Sequence, residues 1–415
     1  MPDSDKKHEA AHFAPHTRES LEGAVAKPLD LDEKNLKDLT SGSAERLEAS
    51  AKRVTRHEAP ASARKGRVPF AAKVLIVLLA VIGVVAGGLW AWVGGIEGEM
   101  RVRDEDRSDL EDALVTPVEQ SAADQASNAF YVLIIGSDAR EGESVSRSDV
   151  IMLARVDTDA PSITLVSIPR DTMIYRGDGA IEKINAEYNY GPGPTVRAVS
   201  ELAGVDIAHY VEVNFDGMKD VVDALGGVTV NIPEDITAGN GGISLSKGEQ
   251  VLSGDEALAY ARERYNATGG DFGRAQAQRQ IVEAIVREVL SSSPVEMPGL
   301  VTKLAQAITT DLSVPDIISY ALALQQAGGS LTTYSAACPS YTLNQDGVSY
   351  VATMYAEWRE MMQRVDAGLD PNDESAEIPD AQRENERLGA ATNAAGPKDY
   401  EDLAENALTT DDVAH

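Results

Sequence analysis

The sequence predicts an α/β domain, a sheet covered on both faces, tethered by one transmembrane helix. Two observations carry this. Between residues 129 and 365, short apolar runs alternate with segments of helical periodicity, as in sheets buried under helices. From Val74 to Ile96 no residue is charged. At about 1.5 Å rise per residue this stretch spans roughly 35 Å, enough to cross a bilayer core of about 30 Å.

The chain has 415 residues, 43% of them hydrophobic, and a net charge of −30. Such a charge repels phosphate backbones, so no nucleic-acid partner is expected. One cysteine, Cys338, excludes an internal disulfide and multi-cysteine metal sites. Of six histidines, only His209 lies in a foldable region, so chemistry must run on carboxylates, arginines or a hard metal.

Residues 1–73 are polar, with 14 Lys+Arg against 12 Asp+Glu, and read as a disordered cytoplasmic tail with no DNA-binding domain. Arg64, Lys65, Arg67 and Lys73 precede the 74–96 span, and Glu97 and Glu99 follow it. The positive-inside bias puts the N-terminus in the cytoplasm and the bulk of the chain outside the cell, with Trp90 and Trp92 at the outer interface. A cleavable signal peptide is disfavoured by the 73 residues that precede the span. Residues 97–128 read as a linker and 129–365 as the extracellular domain. Residues 366–415, with fourteen acidic and three basic side chains, read as a disordered acidic tail whose deletion the domain should tolerate.

Within the domain, strands are expected at Phe130–Ile135, Val150–Val156, Ile163–Ile168, Tyr210–Val213, Val228–Ile232 and near Leu331–Ala336. Helices are expected at Pro194–Leu202, Gly217–Leu225, Glu256–Ala261, Ala275–Leu290, Pro315–Leu324 and Thr353–Val365. Gly226-Gly227 stops the second, and Ser253 or Asp255 caps the third.

The domain is acidic, yet its arginines recur where strands or helices meet turn chemistry: Gly136-Ser137-Asp138-Ala139-Arg140, Arg147-Ser148-Asp149, Pro169-Arg170-Asp171, Arg262-Glu263-Arg264 and Asp271-Phe272-Gly273-Arg274. Strand-end loops are where α/β folds assemble ligand sites. A guanidinium binds phosphate oxygens in pairs and stays charged. Several arginines in one pocket need a polyanion or interleaved carboxylates such as Asp138, Asp149, Asp171 and Asp271. Carboxylates beside phosphates also describe a magnesium site. Each pair taken alone reads as well as a surface salt bridge.

These motifs, with Ser167-Ile168-Pro169-Arg170-Asp171-Thr172, Lys183-Ile184-Asn185-Ala186, Leu225-Gly226-Gly227-Val228 and Leu252-Ser253-Gly254-Asp255-Glu256-Ala257-Leu258-Ala259-Tyr260-Ala261-Arg262, resemble the LytR–CpsA–Psr family of cell-envelope proteins over roughly Ala129–Leu290. The resemblance implies an α-β-α sandwich with a mixed central sheet and a lipid-lined cavity. It implies a membrane-anchored phosphotransferase that moves a polyprenyl-pyrophosphate-linked glycopolymer onto peptidoglycan. Asp138 and Asp149 would then hold Mg²⁺ or Mn²⁺. Arg140, Arg147, Arg170, Asp171, Arg262, Arg264, Arg274 and Gln278 would bind the pyrophosphate, and Asp149, Arg170, Arg264 and Arg274 would be catalytic. The chain departs from the family where an arginine is usual: Ala277-Gln278 stands there, with Arg279-Gln280 two residues on. Two residues turn a helix by about 200°, so Arg279 does not replace the missing arginine.

A pyrophosphatase using water as acceptor, and a non-catalytic lipid-phosphate-binding or regulatory protein, are the alternatives. The helices at Pro194–Leu202, Gly217–Leu225 and Ala275–Leu290 could line the lipid groove or form plain core. His209 is expected to be structural, Cys338 a buried small hydrophobe, and Arg155, inside a strand, a position that tolerates Lys. Gly239-Asn240-Gly241-Gly242 lacks the Lys-Ser/Thr of a P-loop.

Overall fold

A computed structural model describes residues 95, 97, 98, 100–115, 129–137 and 148–413, apart from 238, 240, 241, 294, 306 and 327–330. The expected span at 74–96 lies almost wholly outside the described residues, as do Asp138, Arg140 and Arg147. Among the described residues no helix is long and apolar enough to cross a membrane.

The central sheet is six-stranded and mixed. In chain order its strands are β1 (Ala129–Ser137), β2 (Ser148–Asp157), β3 (Ser162–Ser167), β6 (Ile207–Asn214), β9 (Ile308–Thr310) and β10 (Thr332–Ala337), in spatial order β10-β3-β2-β1-β6-β9. Short hairpins pair β4 (Met173–Tyr175) with β5 (Ile181–Lys183), β7 (Val228–Ile232) with β8 (Gly248–Leu252), and β11 (Ser340–Gln345) with β12 (Val348–Thr353). Strands β1 and β6 are parallel and β2 is antiparallel to both β1 and β3. The end of β1, the start of β2, the end of β3 and the end of β6 therefore share one edge.

Alternate residues of β1 face opposite layers, as the period of a strand dictates. Phe130 and Val132 pack with Val282, Val286 and Leu290 of helix α5 (Asp271–Ser291) and with Tyr320 and Leu324 of α7 (Val314–Gln326). Tyr131, Leu133 and Ile135 pack with Val196, Val199 and Leu202 of α2 (Pro192–Ala203) and with Trp358 and Met362 of α8 (Tyr355–Asp366). This is an α-β-α arrangement, as expected. Helices α3 (Phe215–Leu225) and α4 (Gly254–Arg262) close a further core with β7 and β8, and α6 (Met297–Ala305) packs beside α7.

Both boundaries of the domain move outward from those expected. Met100 and Leu110 are buried, the latter in α1 (Asp104–Ala113), which packs beside α2. Residues 366–413 are not a disordered tail. Leu388, Ala391 and Ala394 join the main core. Gly389 N donates to Ala203 O at 2.8 Å, Ala395 N to Met173 O at 3.0 Å and Tyr175 N to Asn393 O at 2.7 Å. Composition misled here because the segment docks through backbone hydrogen bonds and small alanines, which need little apolar side-chain area.

Arg155 is buried and pairs with Asp157 at 3.2 Å, with its Nη1 left without a hydrogen-bond partner among the described residues. Lysine there would exchange a paired buried charge for a poorly paired one, a cost to stability rather than to the distant site. His209 matches its structural reading: Nδ1 lies 2.8 Å from Asp311, Nε2 3.2 Å from Tyr320 Oη, and Phe130 meets the ring edge-on. Cys338 is buried, and burial pushes its thiol up to about 12.

Candidate active site

The site forms at the shared sheet edge. Asp149 is the second residue of β2, and Arg170 follows β3 by three residues. Because β2 and β3 are antiparallel, the start of one and the end of the other coincide. Pro169 fixes its own φ before the turn, and its carbonyl accepts from Thr172 N at 2.9 Å and Thr172 Oγ1 at 2.6 Å. Asn185 N donates to Arg170 O at 3.1 Å, and Lys183 Nζ lies 3.1 Å from Asp171 Oδ2. The Lys183-Ile184-Asn185 motif thus pins the turn that carries Arg170.

The first turn of α5 brings Asp271 and Arg274 to the same place. Arg170 Nη1 donates to Asp149 Oδ1. Arg170 Nε lies 3.6 Å from Asp271 Oδ2 and 4.0 Å from Asp171 Oδ1. Those are ion-pair distances but too long for hydrogen bonds, and Nε is a buried donor without a hydrogen-bond acceptor among the described residues. Arg274 Nη2 binds Asp271 at 2.9 and 3.0 Å, and Arg264 Nε lies 3.6 Å from Asp271 Oδ1. One carboxylate, Asp271, therefore faces three guanidinium groups.

The electrostatics follow. Burial disfavours the charged form of Arg170, but Asp271, Asp149 and Asp171 outweigh it and hold the guanidinium above its ordinary value. Arg274 goes the other way. Burial lowers it, Asp271 opposes that, and Arg170 and Arg264 add repulsion. Carboxylates here keep crowded arginines charged and in place.

Arg170, Asp171, Arg264 and Arg274 are thus brought together with Asp149, and Gln278 lines the same cleft. Arg262 lies over the Phe215 ring, 4.7 Å from its centroid. Arg279 points elsewhere, as its helical phase requires. It is buried, donates from Nε to Ser335 Oγ at 3.1 Å, and is pushed down to about 10 by burial. Ala277 is buried against the α3/α4 core.

Beside the cleft lies a cavity of about 200 Å³, walled by β1 and β6 (Ile134, Val211), α3 (Phe215, Val221) and α5 (Val282, Val286). Val150 and Gln278 line both spaces. Of the three helices expected at a lipid groove, α3 and α5 line the cavity, whereas α2 packs into the core on the opposite sheet face. Gln278 Nε2 donates to Ala261 O at 3.1 Å, joining α5 to the end of α4.

Sequence reasoning set Asp271 among possible charge neutralisers but did not give it the central position. It also missed Lys183 as an anchor, although Lys183 stood in a quoted motif. Glu263, between two marked arginines, went unassigned. Its buried carboxylate accepts from the backbone N–H groups of Arg264, Tyr265 and Asn266 at 2.9, 2.8 and 2.9 Å. An acidic residue directly before a turn was the available signal.

Among the described residues no group of three or more His, Cys, Asp or Glu side chains is placed to hold a metal. One or two carboxylates do suffice for Mg²⁺ when phosphate oxygens complete its shell, so Asp149 fits such an ion only together with a phosphate ligand.

Comparison with known proteins agrees with this architecture. The LytR_cpsA_psr family pattern matches residues 96–366. The polyisoprenyl-teichoic acid–peptidoglycan teichoic acid transferase TagU of Halalkalibacterium halodurans is 35% identical over 246 residues, covering 58% of this chain and 79% of that protein. TagU of Enterococcus faecalis is 32% identical over 286 residues, covering 67% and 88%. The crystal structure of protein gbs0355 from Streptococcus agalactiae aligns with a TM-score of 0.50 at 20% identity, over 68% of this chain and 96% of that one, a likeness of fold. A family match over most of the folded region, with Asp149, Arg170, Asp271 and Arg274 meeting at one sheet edge, places this chain in the LytR_cpsA_psr family.

Proposed function

We propose that this protein is a phosphotransferase that moves a polyprenyl-pyrophosphate-linked glycopolymer onto peptidoglycan. The observation that carries the reading is the junction at Gln278 and Val150, where an arginine-lined cleft opens beside an apolar cavity. A ligand with a pyrophosphate head and a hydrocarbon tail needs both in contact. The relatives named for teichoic-acid transfer support the same class of donor.

In this reading Arg170, Arg264 and Arg274 bind the non-bridging pyrophosphate oxygens. Arg170 Nε, a buried donor without an acceptor among the described residues, supplies one such contact. An acceptor sugar hydroxyl attacks the glycan-side phosphorus, forming a phosphodiester. The phosphoanhydride bond breaks, and polyprenyl phosphate leaves. Arginines held in place before substrate arrives stabilise the growing charge without reorganising. Asp149 accepts the hydroxyl proton when it is not holding a metal. Mg²⁺, held by Asp149 with Asp138, would add charge neutralisation when bound. Arg140 and Arg147 complete the anion site in this proposal, and Arg262 orders the cavity mouth through Phe215. Residues 74–96 anchor the chain with the catalytic domain outside the cell.

The test is transfer from a polyprenyl-pyrophosphate glycan to peptidoglycan with Mg²⁺, scored by the phosphodiester product. Consumption of the donor at the same rate without peptidoglycan would favour the pyrophosphatase alternative. Protease added to intact protoplasts should remove the domain, and full protection of residues 129–365 would refute the topology.

A further inference from the structure

We propose that the C-terminal segment Leu408–Val413 positions the loop that carries Arg264 and Asp271. The proposal rests on the anion site described above but not on the family match, which ends at residue 366.

The segment is built as an isolated β-bridge and a turn. Thr342 N donates to Leu408 O at 2.9 Å and Thr410 N to Ser340 O at 3.0 Å, so residues 408–410 extend the edge of β11. Ser340 N adds a bond to Thr410 Oγ1 at 3.2 Å. The chain then turns, with Asp412 Oδ2 accepting from Thr409 N at 2.8 Å and Asp412 N donating to Thr409 O at 3.2 Å. This turn delivers Val413 onto Gly269. A Cβ at Gly269 would lie 2.7 Å from Val413 Cγ1 and 3.0 Å from Asp412 O, so the two backbones touch with no room for a side chain.

Gly269 stands at the entry to α5. Its carbonyl accepts from Phe272 N at 3.1 Å, and Gly270 O accepts from Arg274 N at 3.1 Å. Those bonds begin the helical turn that aims Asp271 and Arg274. Glu263 holds the start of the loop through backbone N–H groups, and Glu234 accepts from Thr268 Oγ1 at 2.8 Å in the middle. The C-terminal turn abuts the last residues before the helix. Val413 and Asp412 touch no marked site residue in these contacts, so they act through the loop as positioning residues.

The experiment uses the full chain and two probes, farnesyl pyrophosphate for cleft and cavity together, and farnesol for the cavity alone. Val413→Gly keeps the 408–410 pairing, and deletion of 411–415 removes the turn. Each should weaken farnesyl-pyrophosphate binding by about tenfold, less than the roughly 10²-fold that a 1 Å misplacement costs in catalysis. Farnesol binding and Tm should not change, and Val413→Ile should bind as the native chain does. Farnesyl-pyrophosphate affinity within twofold of native for Val413→Gly overturns the proposal. So does an equal loss for farnesol, which would indicate general loosening. A native chain that binds no farnesyl pyrophosphate overturns both this proposal and the transferase reading.

Discussion

Replacing Arg170 by Lys keeps the charge and removes the planar fork. The native guanidinium contacts Asp149 through Nη1 while Nε faces Asp271 at 3.6 Å and Asp171 at 4.0 Å. An ammonium is a point charge; it cannot serve Asp149 and also present a second fixed donor near Asp271. The four side chains are 20–30% exposed, so solvent screens the ion pairs and each is worth about 1 kcal/mol or less. Stability should therefore fall by about 1 kcal/mol. Transfer should suffer more, because removing a pre-positioned donor to developing charge costs roughly 3–4 kcal/mol, or about 10²–10³ in rate. The assay is glycopolymer transfer at saturating donor, alongside thermal unfolding of each variant. Arg287→Lys, on the exposed part of α5 beside Glu283, serves as control and should transfer normally. Transfer by Arg170→Lys within threefold of native would refute the reasoning.

Val286→Trp should fill much of the apolar cavity and weaken farnesol binding by at least about tenfold; unchanged affinity would place the lipid elsewhere. Leu388→Ala, at a core position, should cost about 2–4 kcal/mol in denaturant unfolding, and deleting residues 371–415 should abolish a cooperative transition. The Cys338 thiol, pushed from 9.0 to about 12 by burial, should resist alkylation in the native state and react once the chain is unfolded. The sign for stability follows from the raised value. The unfolded thiol ionises first, so its contribution is complete below about pH 9 and is lost as pH rises toward 12, a loss that Cys338→Ala should remove.

Local chemistry was legible in the sequence. Apolar runs located β1, β2, β3 and β6, because a strand buried on both faces needs no polar alternation. Of the two caps expected for α4, Ser253 and Asp255, the structure uses Ser253 in a capping box with Glu256, and Gly226, at φ 83°, ends α3 as expected. The β11–β12 hairpin was overlooked although Asp346-Gly347 lay in plain sight; both take positive φ, 52° and 80°, as a tight two-residue hairpin turn requires. The Arg-Asp pairs at strand ends pointed to the site for the same reason, since turn residues beside an apolar run identify their own position.

Residue order alone specifies the set of charged side chains and the elements that carry them. That Asp271 faces Arg170, Arg264 and Arg274 together comes from the packed fold, because strand order and helix entry angle set that meeting across about a hundred residues of chain. The packed fold also decided that α3 and α5 would leave a cavity while α2 would fill its own layer, a distinction that apolar periodicity, identical in the two cases, does not carry. The C-terminal segment shows the same division. Its composition records few apolar groups, but its docking depends on backbone donors and acceptors meeting partners as far back in the chain as Met173, and every residue type bears those groups alike.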